Sequence, residues 1–158
     1  MNSVEDLANS PLLLGLAAEE AEALIALAER RSYNKGDLIV EEGMASDCLF
    51  ILASGAVDVV RHAEGTPVIL ATLNESGDFF GEMSLIDIMP RSADIRAATG
   101  VEILAFPKKE LTAFFTRSPV VQMTMILNIS RNLSLRLRQA DTRIVELSRR
   151  LQSAGEGQ

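Results

Sequence analysis

The chain has 158 residues with one cysteine and one histidine, enough for one well-buried domain plus an appendage. This excludes an internal disulfide and any multi-cysteine or multi-histidine metal centre, so no metal is expected. Apolar residues make up 47% and charged residues 23%, while the net charge of −7 and the pI near 4.8 weigh against direct nucleic-acid binding.

Met1 to Asp6 shows no basic region followed by an apolar stretch, so no export signal is read there. No apolar run approaches the roughly 20 residues that cross a bilayer. The cytoplasm is the expected compartment, with no membrane partner.

Residues 11–31, PLLLGLAAEEAEALIALAERR, place leucines and alanines at three- and four-residue spacing between glutamates, which predicts an amphipathic helix or two short ones. The pattern then changes. KGDLIVEEG, DCLFILASGAVDVVRH and TPVILATLN are short β-branched or aromatic runs punctuated by Gly36, Gly43, Gly55 and Gly65; SADIRAATGVEILAFP adds two runs joined at Gly100. Short strands at this spacing predict an antiparallel barrel or jelly roll. Phe79, Phe80, Phe106, Phe114 and Phe115 read as core between the strands and the helices, and Cys48 as a small core residue. His62, at a strand end, reads as a surface residue.

From Lys108 the pattern is helical again, with Ser118 as N-cap and Pro119 at the first position of a long helix. Ile126, Ser130, Leu133, Leu137, Ala140, Ile144, Leu147 and Leu151 alternate steps of four and three, a heptad seam that predicts pairing with a second copy through residues 126–151. From Ser118 onward six arginines face three carboxylates, a net of +3 that leaves −10 on the first 117 residues. The expected organisation is therefore a barrel with N-terminal helices over 1–117, a coiled-coil-like helix over 118–152 and a disordered tail over 153–158.

The unusual stretch is GDFFGEMSLIDIMPRSADIRA, from Gly77 to Ala97. Gly81 directly before Glu82 lets the backbone approach a ligand or take a conformation that a side chain would forbid. Glu82 opens the run Met83-Ser84-Leu85-Ile86, suited to one helical turn whose first N–H groups favour an anion. Pro90 fixes the approach to Arg91, whose guanidinium can form two parallel hydrogen bonds to a phosphate or carboxylate. One arginine without a lysine-bearing glycine loop suits a singly charged phosphodiester, and the carboxylate of Glu82 can accept a hydrogen bond from a sugar hydroxyl.

These residues resemble a known pattern. FGEMSL, the insert IDIM, and PRSA are similar to the phosphate-binding cassette, F-G-E-[LM]-[AS]-L followed by P-R-[ST]-A, of the cyclic nucleotide-binding domains in the catabolite activator protein and kinase regulatory-subunit superfamily. YNKGDLIVEEG and DCLFILASGAVDVV resemble that family's first strands and turns, and the likeness spans roughly residues 10–152. The resemblance implies a mainly β fold with flanking helices: an eight-stranded antiparallel jelly-roll β-barrel (a double-stranded β-helix) followed by a long dimerisation helix.

By position it implies that Glu82 binds the ribose 2′-hydroxyl and Arg91 the cyclic phosphate. Gly81, Met83 and Ser84 would contribute backbone groups and Ser92 a hydroxyl. Arg136, Gln139 and Thr142 on the last helix are the candidates for contact with the base. The implied ligand is cAMP ahead of cGMP, with no cofactor. The function implied is that of a regulatory module, not an enzyme, which signals in trans to an effector protein through a ligand-dependent shift of its C-terminal helices. The competing expectation is an interaction or scaffold domain that keeps the fold, binds no ligand and acts through its heptad helix. Two departures stand out: Asp94 occupies a place where a neutral residue is more usual, and the chain carries no helix-turn-helix after the long helix, so a stand-alone domain is expected.

Overall fold

Leu49-Phe50-Ile51-Leu52-Ala53 lacks polar alternation because both faces of its strand are covered. In the computed structural model, which describes residues 7–45, 47–87 and 89–157, this run lies in β3 (Cys48–Ser54). Leu49, Ile51 and Ala53 face a core shared with the helices, while Phe50 and Leu52 face a second core between two sheets. The same division holds in β8 (Val101–Pro107), with Leu104 and Phe106 towards the helices and Ile103 and Ala105 between the sheets. In β6 (Phe79–Phe80) the first phenylalanine faces the helices and the second the inter-sheet core, stacked on Phe50 with ring centroids 5.0 Å apart.

The remaining strands are β1 (Glu29–Tyr33), β2 (Leu38–Val40), β4 (Val57–Ala63), β5 (Thr66–Leu73) and β7 (Asp94–Ala97). All pairings are antiparallel, in two four-stranded sheets of order β1-β8-β3-β6 and β2-β7-β4-β5. This is the antiparallel jelly roll expected from the sequence, with its two sheets not closed into a barrel. The sheets stay open because β1, β6, β2 and β5 each pair on one side only among the described residues; β6 is two residues long and cannot carry a ladder onwards. The hairpin between β4 and β5 turns through Glu64 (φ 52°) and Gly65 (φ +81°), the paired left-handed conformation of a two-residue type I′ turn.

The helices differ from expectation at both ends of the chain. Of residues 11–31 only Ala18–Ile25 form a helix, here α1. Residues 11–15 are turns, because Gly15 is left-handed at φ +87° and Asn128 donates its amide Nδ2 to the carbonyls of Leu12 (2.9 Å) and Leu14 (2.8 Å), which a continuing helix would have used. Glu29, Arg30 and Arg31 are drawn into β1 by pairing with Ala105, Leu104 and Ile103.

After β8 come α2 (Lys108–Arg117) and α3 (Pro119–Glu156). Ser118 stands at the N-cap of α3 but its side chain makes no cap bond; its carbonyl accepts the N–H groups of Val121 (3.1 Å) and Gln122 (3.3 Å). The helix runs past the expected end at 152 to Glu156, so Ser153 to Glu156 are helical, and its 38 residues span about 57 Å. Gln158 and the Met1–Asp6 stretch read for a signal lie outside the described residues. Leu24 of α1, Leu111 and Phe115 of α2, and Val121, Met125 and Ile129 of α3 share one core against the first sheet.

Candidate functional site

Between the end of β2, strands β4 and β7, and the loop before β7 lies a cavity of about 510 Å³. Its near wall is the turn from β6 into a short 3-10 helix (Glu82–Leu85), followed by Asp87 and the run Met89 to Ala93. Gly81 takes φ +77°, and a Cβ there would come 2.5 Å from Arg91 Nη1 and 2.9 Å from the Cys48 carbonyl. Only glycine lets the turn and the arginine approach this closely.

All six residues expected to hold ligand line the cavity: Gly81, Glu82, Met83, Ser84, Arg91 and Ser92. Of the three candidates on the last helix the structure brings in one, Arg136. Gln139 and Thr142 are exposed on α3, and the Thr142 hydroxyl donates to the Arg138 carbonyl at 3.1 Å, a bond internal to the helix. The Ser84 hydroxyl is likewise engaged locally, donating to the Gly81 carbonyl at 2.8 Å.

Glu82 is 3% exposed, and its Oε1 accepts a hydrogen bond from Arg136 Nη1 at 2.9 Å. Arg136 Nη2 donates to the Phe79 carbonyl at 2.8 Å, and the guanidinium lies 5.9 Å from the centre of the Phe79 ring. A carboxylate this deep needs such a partner, because an unpaired buried charge is strongly destabilising. Arg91 is half-buried; its Nη2 donates to the Cys48 carbonyl at 2.7 Å and its guanidinium lies 5.6 Å from the centre of the Phe50 ring. Burial pulls its pKa down, opposed by the nearby carboxylates of Asp47 and Glu82, so the pocket holds a poorly hydrated cation. Cationic and anionic side chains thus meet one volume from two arms of the same loop.

Sequence reasoning missed the opposite wall. Val59 and Arg61 of β4, Ile95 of β7, Val40, Glu42 and Gly43 complete the lining. Arg61 Nε lies 3.6 Å from Glu42 Oε1 at the rim. The signal was present in β4, where period-two alternation places Val59 and Arg61 on one face.

Asp94 does not face the cavity. Ile95 does, and Asp94 lies on the other face of β7, where its carboxylate is 4% exposed and Oδ2 accepts Arg96 Nη2 at 3.1 Å. The Glu42 N–H and the Arg96 guanidinium hold its carboxyl below the ordinary range, against the effect of burial. His62 is partly exposed, with Nδ1 4.0 Å from the same carboxylate oxygen. Cys48 is buried, and burial pushes its thiol pKa up.

Compared with known families, residues 30–118, more than half of the chain, match the cyclic nucleotide-binding domain. The chain belongs to this family. The Cyclic AMP receptor protein of Thermus thermophilus is 38% identical over 140 residues, covering 88% of this chain and 62% of that protein. Glutaminase 1 of Bradyrhizobium diazoefficiens is 37% identical over 139 residues, covering 88% of this chain and 22% of that protein. The crystal structure of Thermus thermophilus Catabolite Activator Protein matches with a TM-score of 0.73 and 36% identity, over 88% of this chain and 63% of that one. The chain spans less than two thirds of each of these relatives. The loop from Gly81 to Ser92 falls inside the family match, whereas Arg136 falls outside it.

Proposed function

We propose that the cavity binds a cyclic nucleotide, cAMP ahead of cGMP, and that the domain relays its occupancy to an effector protein in trans without catalysing a reaction. The observation that carries this reading is the convergence of buried Glu82 and half-buried Arg91 on one cavity of about 510 Å³, within the range of small-molecule sites. In this reading Arg91 turns from the Cys48 carbonyl to the cyclic phosphate, a group that can accept two N–H donors at once. Glu82 accepts the ribose hydroxyl, while Gly81, Met83 and Ser84 present backbone groups and Ser92 its hydroxyl. Because Arg136 ties Glu82 to α3, ligand contact at Glu82 and the position of α3 are energetically linked. The relative named as a cyclic AMP receptor supports the preference for cAMP.

The same proposal includes a homodimer through residues 126–151 and a cytoplasmic setting; no described helix is long and apolar enough to cross a membrane. The reading without a catalytic role is supported by Ser84, whose hydroxyl is spent on Gly81, and by His62, which does not line the cavity and lies against Asp94 instead. One observation favours the second reading, an interaction domain that binds no ligand. Leu137, Ile144, Leu147 and Leu151 form an exposed apolar seam whatever the cavity does.

Calorimetric titration of cAMP and cGMP into nucleotide-stripped protein separates the two. Saturable binding to the wild-type chain that falls at least about a hundredfold in Arg91→Ala is expected, since a desolvated charged hydrogen-bond pair is lost. No binding by the folded wild-type protein, or binding indifferent to Arg91→Ala, would overturn the receptor reading.

A further inference from the structure

We propose that Asp94 is a positioning residue that fixes the backbone of Arg91 through the turn after β2, so that the departure at this place sharpens the cavity. Asp94 Oδ1 accepts the N–H of Glu42 at 2.8 Å. The next two residues of that turn grip the arginine itself: the Gly43 N–H donates to the Arg91 carbonyl at 2.8 Å, and the Arg91 N–H donates to the Met44 carbonyl at 3.0 Å. Chain and hydrogen bonds therefore close a ring, from Asp94 across to Glu42, along to Gly43 and Met44, across to Arg91, and back along the chain to Asp94.

The ring matters because the described residues of the loop have no helix or sheet ladder to hold their backbone, while the Arg91 side chain is held separately by the Cys48 carbonyl. Pro90 and Ser92 are exposed, and residues 89–93 belong to no helix or strand. The Asp94 carboxylate, by contrast, is 4% exposed and anchored at the start of β7, where a buried charged acceptor makes a stronger and less screened bond than one in water. Its charge is met on the other side by Arg96, so the anchor adds little net negative field beside the cation that faces the ligand. Removing the acceptor frees the Glu42 N–H, loosens the turn, and widens the range of positions open to Arg91.

The inference rests on the cyclic-nucleotide reading for its effect on binding, but its structural half is read without ligand. Amide hydrogen exchange is measured on the ligand-free chain for wild type, Asp94→Ala, Asp94→Asn and Arg96→Ala, with cAMP titration of each. In Asp94→Ala the Gly43 and Arg91 amides are expected to lose at least about tenfold protection while β8 amides keep theirs, the signature of a local opening. The Kd for cAMP is expected to rise about tenfold, as for loss of a buried hydrogen bond to a charged group. Asp94→Asn, which keeps an oxygen for the Glu42 N–H, restores part of both, and Arg96→Ala moves either by less than about threefold.

Unchanged protection at Gly43 and Arg91 in Asp94→Ala, a uniform loss that includes β8, or tighter cAMP binding in both Asp94 variants would overturn the inference. If Asp94→Ala does not fold, Asp94→Asn decides by the same amides. If the wild-type chain binds no cyclic nucleotide, the functional reading fails and the exchange result alone decides the role of Asp94.

Discussion

Val121, Met125 and Ile129 in the first half of α3 are at most 1% exposed, whereas Leu137 at its midpoint and Ile144, Leu147 and Leu151 beyond it are 49–74% exposed, although both sets recur at helical spacing. Apolar periodicity reports which residues share a face of a helix and says nothing of what covers that face. In the first half the cover is this chain's own sheet and helices; in the second these leucines and Ile144 are exposed in the single chain. Arg136 stands at the join, reaching back from the emerging helix to Glu82 and the Phe79 carbonyl.

The comparison is broken most strongly from the buried side. Met125→Ala removes a side chain that is 1% exposed from the core shared by α1, α2 and β3, and a loss of about 2–5 kcal/mol in unfolding free energy is expected, measured by urea denaturation. A loss below about 0.5 kcal/mol would mean that this half is not held by its contacts with the first sheet.

Arg136→Ala comes next. It leaves Glu82 buried without its partner, a penalty that reaches about 3–5 kcal/mol for fully desolvated pairs; with a third of the Arg136 side chain exposed to water, about 1–3 kcal/mol is expected. The double variant with Glu82→Gln should lose less than the sum of the two single changes, because the uncompensated charge is gone. Additive losses in the denaturation curves would show that the pair does not link the cavity to α3.

Much of this was legible before any coordinates. The strands from β2 to β5 and from β7 to β8 announced themselves through short β-branched runs between glycines, and the loop from Gly81 to Ser92 through its order of glycine, carboxylate, proline and arginine. What was not legible depended on distant partners. Glu29 to Arg31 reads as the end of a helix until β8 offers an unpaired edge, and Phe79-Phe80 reads as core without a strand until β3 pairs with it. Leu12 and Leu14 leave the helical pattern because of Asn128, more than a hundred residues away in the chain. Asp94 stood out as a charge where a neutral residue is more usual; alternation along β7 puts it on one face with Arg96, its partner at 3.1 Å, but cannot say that this face also offers the Glu42 N–H. Open sheets instead of a closed barrel follow from the shortness of β6, which no pattern within two residues could reveal.

The smallest effect on stability is expected from the exposed half of α3. Leu147→Ala removes a side chain already 49% exposed, so the unfolding free energy of dilute protein should move by no more than about 0.5 kcal/mol. Its larger consequence is expected in self-association. If two copies pair along residues 126–151, each loses buried apolar surface at the same place, and the dimer dissociation constant seen by sedimentation should rise at least about tenfold. Positions off the seam, such as Gln139, should leave it unchanged. A wild-type chain that stays monomeric across the concentration range would remove self-pairing as the reason for the seam. Leu137, Ile144, Leu147 and Leu151 would then have to meet a different protein, and the arginines beside them, at 138, 143, 149 and 150, would favour an acidic one.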